Sequence, residues 1–252
     1  MGLPLAIWKT GSPVRSAERE HGAFAEMIQR VIGDAWKGDY LVVDCEEEAA
    51  AIPLPDEVAG VIITGSSSRV GERAPWMLKA EGALRGYAGT STPVLGICFG
   101  HQLLGQALGG DVVANPRGVE LGLVPVEIVR EDELVRDLFD ESAPLVVMTH
   151  FDSVHVLPPT AEVLARTELE PHAAVRFEER IWGVQFHPEM DERVLNHYVR
   201  ERRADTAQGA ASEARVSVDG VASEWASRLL ARFVALCDAE PVALSARPLS
   251  VR

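Results

Sequence analysis

The sequence predicts an α/β fold: a central, mostly parallel β-sheet covered by helices on both faces, with further strands, some antiparallel, added to it. Three observations lead there. Over the first 110 residues, short β-type runs that are apolar on both faces alternate with helical periods, as parallel strands between helices require. After that the rhythm changes to closely spaced β-like segments with few helices between them. The chain of 252 residues is 47% hydrophobic and 25% charged, enough apolar material for a sizeable core.

The elements follow in order. Leu5-Ala6-Ile7-Trp8 reads as a first strand. Phe24, Met27, Ile28, Val31 and Ile32 recur at helical spacing and mark one face of a helix. Leu41-Val42-Val43 and Val61-Ile62-Ile63 are the next strands, the latter running into the turn Thr64-Gly65-Ser66-Ser67-Ser68. A helical stretch from Trp76 to Tyr87 leads through Pro93 into the strand Val94-Leu95-Gly96-Ile97, and Leu103, Leu104, Ala107 and Leu108 open another helix. Segments near 119–129, 145–149, 154–157, 161–167, 172–177 and 181–186 read as added strands attached to the same sheet. From Glu192 the pattern is helical. Residues 204–217 are small and polar and read as a loop. A last amphipathic helix, with Val221, Trp225, Leu229, Phe233 and Leu236 or Cys237 on one face, is expected to pack back on the domain. The expected organisation is one domain over 1–203, with 204–252 as a loop and a helix docked on it.

Composition excludes several functions. There are 38 acidic residues against 24 basic ones, a formal net charge of −14, which repels nucleic-acid phosphates and anionic membranes. No run approaches the length of a membrane span, and the N-terminus lacks the basic region of a signal peptide. Three scattered cysteines make neither a disulfide framework nor a zinc site, so a reduced, cytoplasmic, soluble protein without metal or cofactor is expected.

The sharpest local signal is Gly96-Ile97-Cys98-Phe99-Gly100-His101-Gln102. A buried strand ends at Cys98 and a helical period begins straight after it, with glycine on either side. This is the pattern of a nucleophile elbow, where the flanking glycines permit a tight turn that exposes the nucleophile. Free N–H groups at the helix start also favour the thiolate. A buried, inert core cysteine is the alternative. A thiol nucleophile needs a base, and His187 in Gln185-Phe186-His187-Pro188-Glu189 is the candidate. Pro188 holds the tripeptide extended, so His187 and Glu189 project to the same side, and the carboxylate can orient the imidazole. An α/β-hydrolase shares the elbow, but its chain order is nucleophile, acid, histidine. Here the histidine precedes its acid.

Together, GICFGHQLLGQALGG and GVQFHPEM resemble the two signatures of class I glutamine amidotransferase domains, in a stretch of about residues 40 to 200, nearest to stand-alone GMP-synthetase-like members. The resemblance implies a flavodoxin-like three-layer α/β/α sandwich and a catalytic triad of Cys98, His187 and Glu189. It also implies an oxyanion site made by the backbone N–H groups of Ser66 and Phe99, with Gly65 of the same turn binding substrate. Gln102 and the segment Thr149-His150-Phe151 take the family's substrate-binding positions, and Glu120 braces the pocket. Many members carry glycine where this chain has Phe151. His101 is read as incidental, and His21, His155, His172 and His197 as structural or solvated.

The sequence lacks a G-x-x-x-x-G-K-[ST] phosphate loop and the Ser-Gly-Gly-x-Asp-Ser signature of an ATP pyrophosphatase. Any synthetase that uses released ammonia is therefore expected to be a separate chain. Three readings follow: a glutaminase that supplies ammonia to an acceptor, a hydrolase of γ-glutamyl amides or peptides, and a non-catalytic binding member of the fold.

Overall fold

The structure is a computed structural model and describes residues 2–138, 144–206 and 224–239. The first half alternates as predicted: β1 (Leu5–Lys9), helices α1 (Arg15–His21) and α2 (Phe24–Ile32), β2 (Tyr40–Asp44), β3 (Gly60–Ile63), α3 (Pro75–Arg85), β4 (Val94–Ile97) and α4 (Phe99–Ala107). Then come β5 (Asp111–Ala114), β6 (Glu120–Pro125), β7 (Glu127–Ile128), β8 (Leu145–His150), β9 (Asp152–Val156), β10 (Glu162–Arg166), β11 (Ala174–Glu178), β12 (Ile181–Val184), α5 (Glu192–Thr206) and α6 (Glu224–Asp238).

The main sheet has the order β2-β1-β3-β4-β12-β11-β10-β7. Its first five strands are parallel, in the flavodoxin-like arrangement, and β11, β10 and β7 extend it antiparallel. Alternation along each strand separates two cores. Leu5, Ile7, Ile62, Leu95, Ile97, Trp182 and Val184 face α2 and α6. Ala6, Trp8, Val61, Ile63, Val94 and Phe177 face α3 and α4. Successive side chains of a strand point to opposite faces, so these apolar runs need helices on both sides.

Four strands differ from the reading of one extended sheet. β5 pairs with β9, and β6 with β8, as two separate antiparallel ribbons. Leu121, Leu123 and Val147 of the second ribbon bury against Ala17, Phe24, Met27, Val194, Leu195 and Val199, a third core formed with α1, α2 and α5. A strand's periodicity reveals that one face is buried, not which element buries it. β2 is a sheet edge: its Leu41 and Val42 are exposed, Val43 is buried, and half-buried Tyr40 packs against the core of α2 and α6. β5 and α1 escaped the sequence reading because each buries a single residue, Val112 and Ala17, and neither carries an apolar period. α5 continues through Thr206, so residues 204–206 of the expected loop are helical; the rest of that loop and Val221 lie outside the described residues. Trp225, Leu229, Leu230, Phe233 and Val234 of α6 are buried in the core shared with α2. Among the described residues no helix is long and apolar enough to cross a membrane.

Candidate active site

Cys98 stands at the carboxyl end of β4 and is the residue before α4, with φ 51° and ψ −100°. A non-glycine residue in that conformation is strained, as a nucleophile elbow requires. The flanking glycines are there for space. A Cβ on Gly96 would lie 2.5 Å from the backbone of Gly100, and one on Gly100 would lie 2.5 Å from the Ile63 carbonyl oxygen. The elbow is thus pressed against both its own strand and β3. Phe99 is the first residue of α4, so its N–H has no intrahelical acceptor and is available to a ligand.

The turn after β3 is fixed from two sides. Thr10 donates its N–H to Thr64 Oγ1 at 3.1 Å and its hydroxyl to the Thr64 carbonyl at 2.9 Å, while the Gly100 N–H reaches the same carbonyl at 3.2 Å. Ser66 follows, lining the cavity above Cys98. Gly65 packs behind that cavity: a Cβ there would stand 3.1 Å from His187 Cε1, so the missing side chain makes room for the imidazole.

His187 and Glu189 leave the end of β12 as the extended tripeptide suggests. His187 Nδ1 and Glu189 Oε1 are 2.7 Å apart, which places the proton on Nδ1 and turns Nε2 toward the cysteine side. His187 and Cys98 line the same cavity and act on each other electrostatically, and His187 Nε2 lies 3.0 Å from Thr149 Oγ1. The ring of Phe24 stacks parallel to the imidazole at 6.1 Å. Burial alone would raise the Cys98 thiol and lower the His187 imidazolium. The charges and hydrogen bonds outweigh it: Cys98 is held below the ordinary thiol range by His187, and His187 is pushed well up by Glu189 and the Cys98 sulfur. The favoured state is a thiolate–imidazolium pair. Burial, with Asp44 adding to it, pushes Cys45 up to about 12, and burial raises Cys237.

The cavity over this pair has a volume of about 370 Å³. Gln102, Thr149, His150 and Phe151 line it, but much of their bonding capacity is spent internally. Gln102 Nε2 donates to the Asp152 carbonyl at 2.9 Å and to Gln185 Oε1 at 3.0 Å. His150 is buried, with Nε2 3.1 Å from Glu120 Oε2 and Nδ1 3.0 Å from the Asp152 carbonyl; burial opposes its charge, but Glu120 and Glu170 raise its pKa above the ordinary value. Glu120 also accepts from the Thr167 hydroxyl at 2.7 Å, so it braces the loop from β6. Burial drives fully buried His101 down to about 3, leaving a neutral core ring.

Sequence reasoning missed the cavity's outer wall. Arg202 of α5 hydrogen-bonds the Thr149 carbonyl, and its guanidinium lies 5.2 Å from the Phe151 ring and 5.1 Å from the Tyr198 ring. Arg69 forms a two-pronged pair with Asp152, with Nε 2.9 Å from Oδ2. Val14 and Phe24 close another side. No local motif marks these residues, because α1, α2 and α5 reach the site only through the tertiary fold.

The fold and the elbow define the class: a doubly wound α/β protein whose cysteine, at the carboxyl end of a central strand, faces a histidine–carboxylate pair. Comparison with known proteins makes this specific. Residues 21–204 match the family model described as glutamine amidotransferase class-I, and the chain belongs to that family. It is 37% identical over 156 residues to one subunit of the glutamine-hydrolyzing GMP synthase of Pyrococcus abyssi, covering 60% of this chain and 79% of that one. It is 30% identical over 189 residues to gamma-glutamyl peptidase 4 of Arabidopsis thaliana, covering 71% and 72%. A match of 36% identity to the glutamine-hydrolyzing GMP synthase of Aeropyrum pernix covers 67% of this chain and 31% of that longer protein. Among solved structures, a glutamine amidotransferase from Thermotoga maritima superposes with a TM-score of 0.73 at 19% identity, over 95% of this chain and 100% of the other, a likeness of fold.

Proposed function

We propose that the chain hydrolyses the side-chain amide of glutamine with a Cys98–His187–Glu189 triad and releases ammonia. The observation that carries this reading is the strained Cys98 elbow sharing one cavity with an imidazole that Glu189 holds at 2.7 Å. The Cys98 thiolate attacks the γ-carbonyl carbon, and the carbonyl oxygen becomes an oxyanion. Phe99 and Ser66 N–H groups stabilise it, an effect worth roughly 2.7–4 kcal/mol per donor in such sites. The intermediate collapses as His187 gives its proton to the leaving nitrogen, forming ammonia and a thioester. Neutral His187 then takes a proton from water, the hydroxide adds to the thioester, and glutamate leaves with Cys98 restored as thiolate. No cofactor or metal takes part. Ammonia use would fall to a separate synthetase subunit, in keeping with the Pyrococcus relative, which is itself named as one subunit of a GMP synthase.

A second reading is favoured by Phe151 and by the similarity to gamma-glutamyl peptidase 4. An aromatic wall stacked on Arg202 suits a γ-glutamyl amide or peptide whose leaving amine is larger than ammonia. A panel of glutamine, γ-glutamyl peptides and γ-glutamyl anilides separates the two by kcat/KM. Both require that Cys98→Ala abolish turnover and labelling by an electrophilic glutamine analogue. Turnover that survives in Cys98→Ala and disappears in Cys45→Ala would sink the triad.

A further inference from the structure

We propose that Glu20, His21 and His197 form a binding site for a divalent metal ion of the zinc class, where α1 meets α5. One ligand atom from each residue lies within 4.8 Å of the others. His197 Nε2 and Glu20 Oε2 are 3.3 Å apart, and the rings of His21 and His197 meet edge to face, with centroids 5.4 Å apart. An ion pair between His197 and Glu20 alone would leave His21 unexplained. Its Nε2 is buried and has no hydrogen-bond partner among the described residues. A buried ring nitrogen without a partner is costly, and coordination would satisfy it.

The donor set narrows the ion to divalent transition metals that imidazole binds. Two imidazoles and one carboxylate match the three-protein-ligand pattern of zinc, with water completing a tetrahedron. Calcium and magnesium prefer all-oxygen shells, and copper(I) prefers sulfur. Bond lengths near ~2 Å require the three donors to draw together. Glu20, with a side chain 67% exposed, has room to close.

None of the three residues lines the cavity over Cys98, so the site is separate from the reaction centre. Its place nonetheless bears on that cavity. α5 carries Tyr198, Glu201 and Arg202 into the wall, and Val14, just before α1, lines it too. The Ser16 N–H already reaches Glu201 Oε1 at 3.0 Å. A metal bound behind that wall would staple α1 to α5 at a second point.

The test uses the full, tag-free chain carrying Cys98→Ala, so that zinc on the Cys98–His187 pair is not counted. After stripping with chelator, zinc is titrated calorimetrically, and cobalt(II) reports coordination through its visible bands. The expected result is one equivalent bound with a raised Tm. Binding should be lost in His21→Gln and His197→Gln and weakened about tenfold or more in Glu20→Gln. Should buried His197 not tolerate the change, His21→Gln and exposed Glu20→Gln carry the test. No binding by the parent, or equal binding by the variants, overturns the site.

Discussion

At Cys98, backbone and side chain are set by different neighbours. The left-handed φ comes from the turn between β4 and α4, and the thiolate from His187. The pH dependence follows from the two shifts. A thiol held below its ordinary pKa stays ionised as pH falls, and an imidazolium held above its own stays charged as pH rises. Between those limits the ion pair persists. Alkylation of Cys98 by iodoacetamide should therefore remain fast at a pH where Cys45 and Cys237, both raised by burial, do not react. Glu189→Gln removes the carboxylate that sustains the imidazolium, so the thiol pKa should return toward its ordinary value and the alkylation profile should move to higher pH. A profile that does not move would remove Glu189 from the triad. For Phe151, the loss of one apolar wall is worth about 1–3 kcal/mol. Phe151→Gly should thus shift the kcat/KM ratio of a γ-glutamyl anilide to glutamine by tenfold to a few hundredfold. An unchanged ratio, with the fold intact by circular dichroism, would remove the support that Phe151 lends to the γ-glutamyl hydrolase reading.

At the level of elements, the elbow is a contact between β3, β4 and α4 that only glycine allows. Gly100→Ala places a Cβ 2.5 Å from a backbone oxygen and 2.9 Å from Ile63 Cβ, so the start of α4 must move. A cost of about 1–3 kcal/mol is expected, read as a lower urea midpoint. Activity should fall further than stability explains, because the displaced segment carries the Phe99 N–H. Equal kcat in the two proteins would mean that this N–H does not face the reacting carbonyl. The elbow was legible because strand, nucleophile and helix are contiguous, and His187 and Glu189 because two residues of extended chain fix their common side. β6, β8 and β9 were legible as strands but not as members of separate ribbons, since pairing is decided by residues far apart in sequence. Tyr198, Arg202 and Phe24 were invisible as site residues for the same reason. Gly65 shows the converse: its motif places it in the right turn, but only packing reveals that it faces the imidazole ring.

Across the whole molecule, the sheet is a wall between two cores, and β4 and β12 at its centre carry the elbow and the histidine. Their geometry depends on both covering layers. One layer is completed by α6, at the far end of the described chain, whose Phe233 is fully buried among α2 and sheet residues. If α6 is an integral part of the domain, removing that ring destabilises the entire sheet and not the helix alone. Phe233→Ala should then cost about 3–5 kcal/mol, the usual penalty for emptying an aromatic site in a core. Far-UV circular dichroism and tryptophan fluorescence report complementary regions, since Trp182 in β12 and Trp225 in α6 share this core while Trp8 faces the other. Both signals should show a single coincident urea transition at a lower midpoint with an unchanged slope. A non-coincident early fluorescence change, with turnover surviving it, would instead make α6 an appendage that melts by itself. β4 and β12 would then owe their alignment to α2 and the opposite helix layer alone.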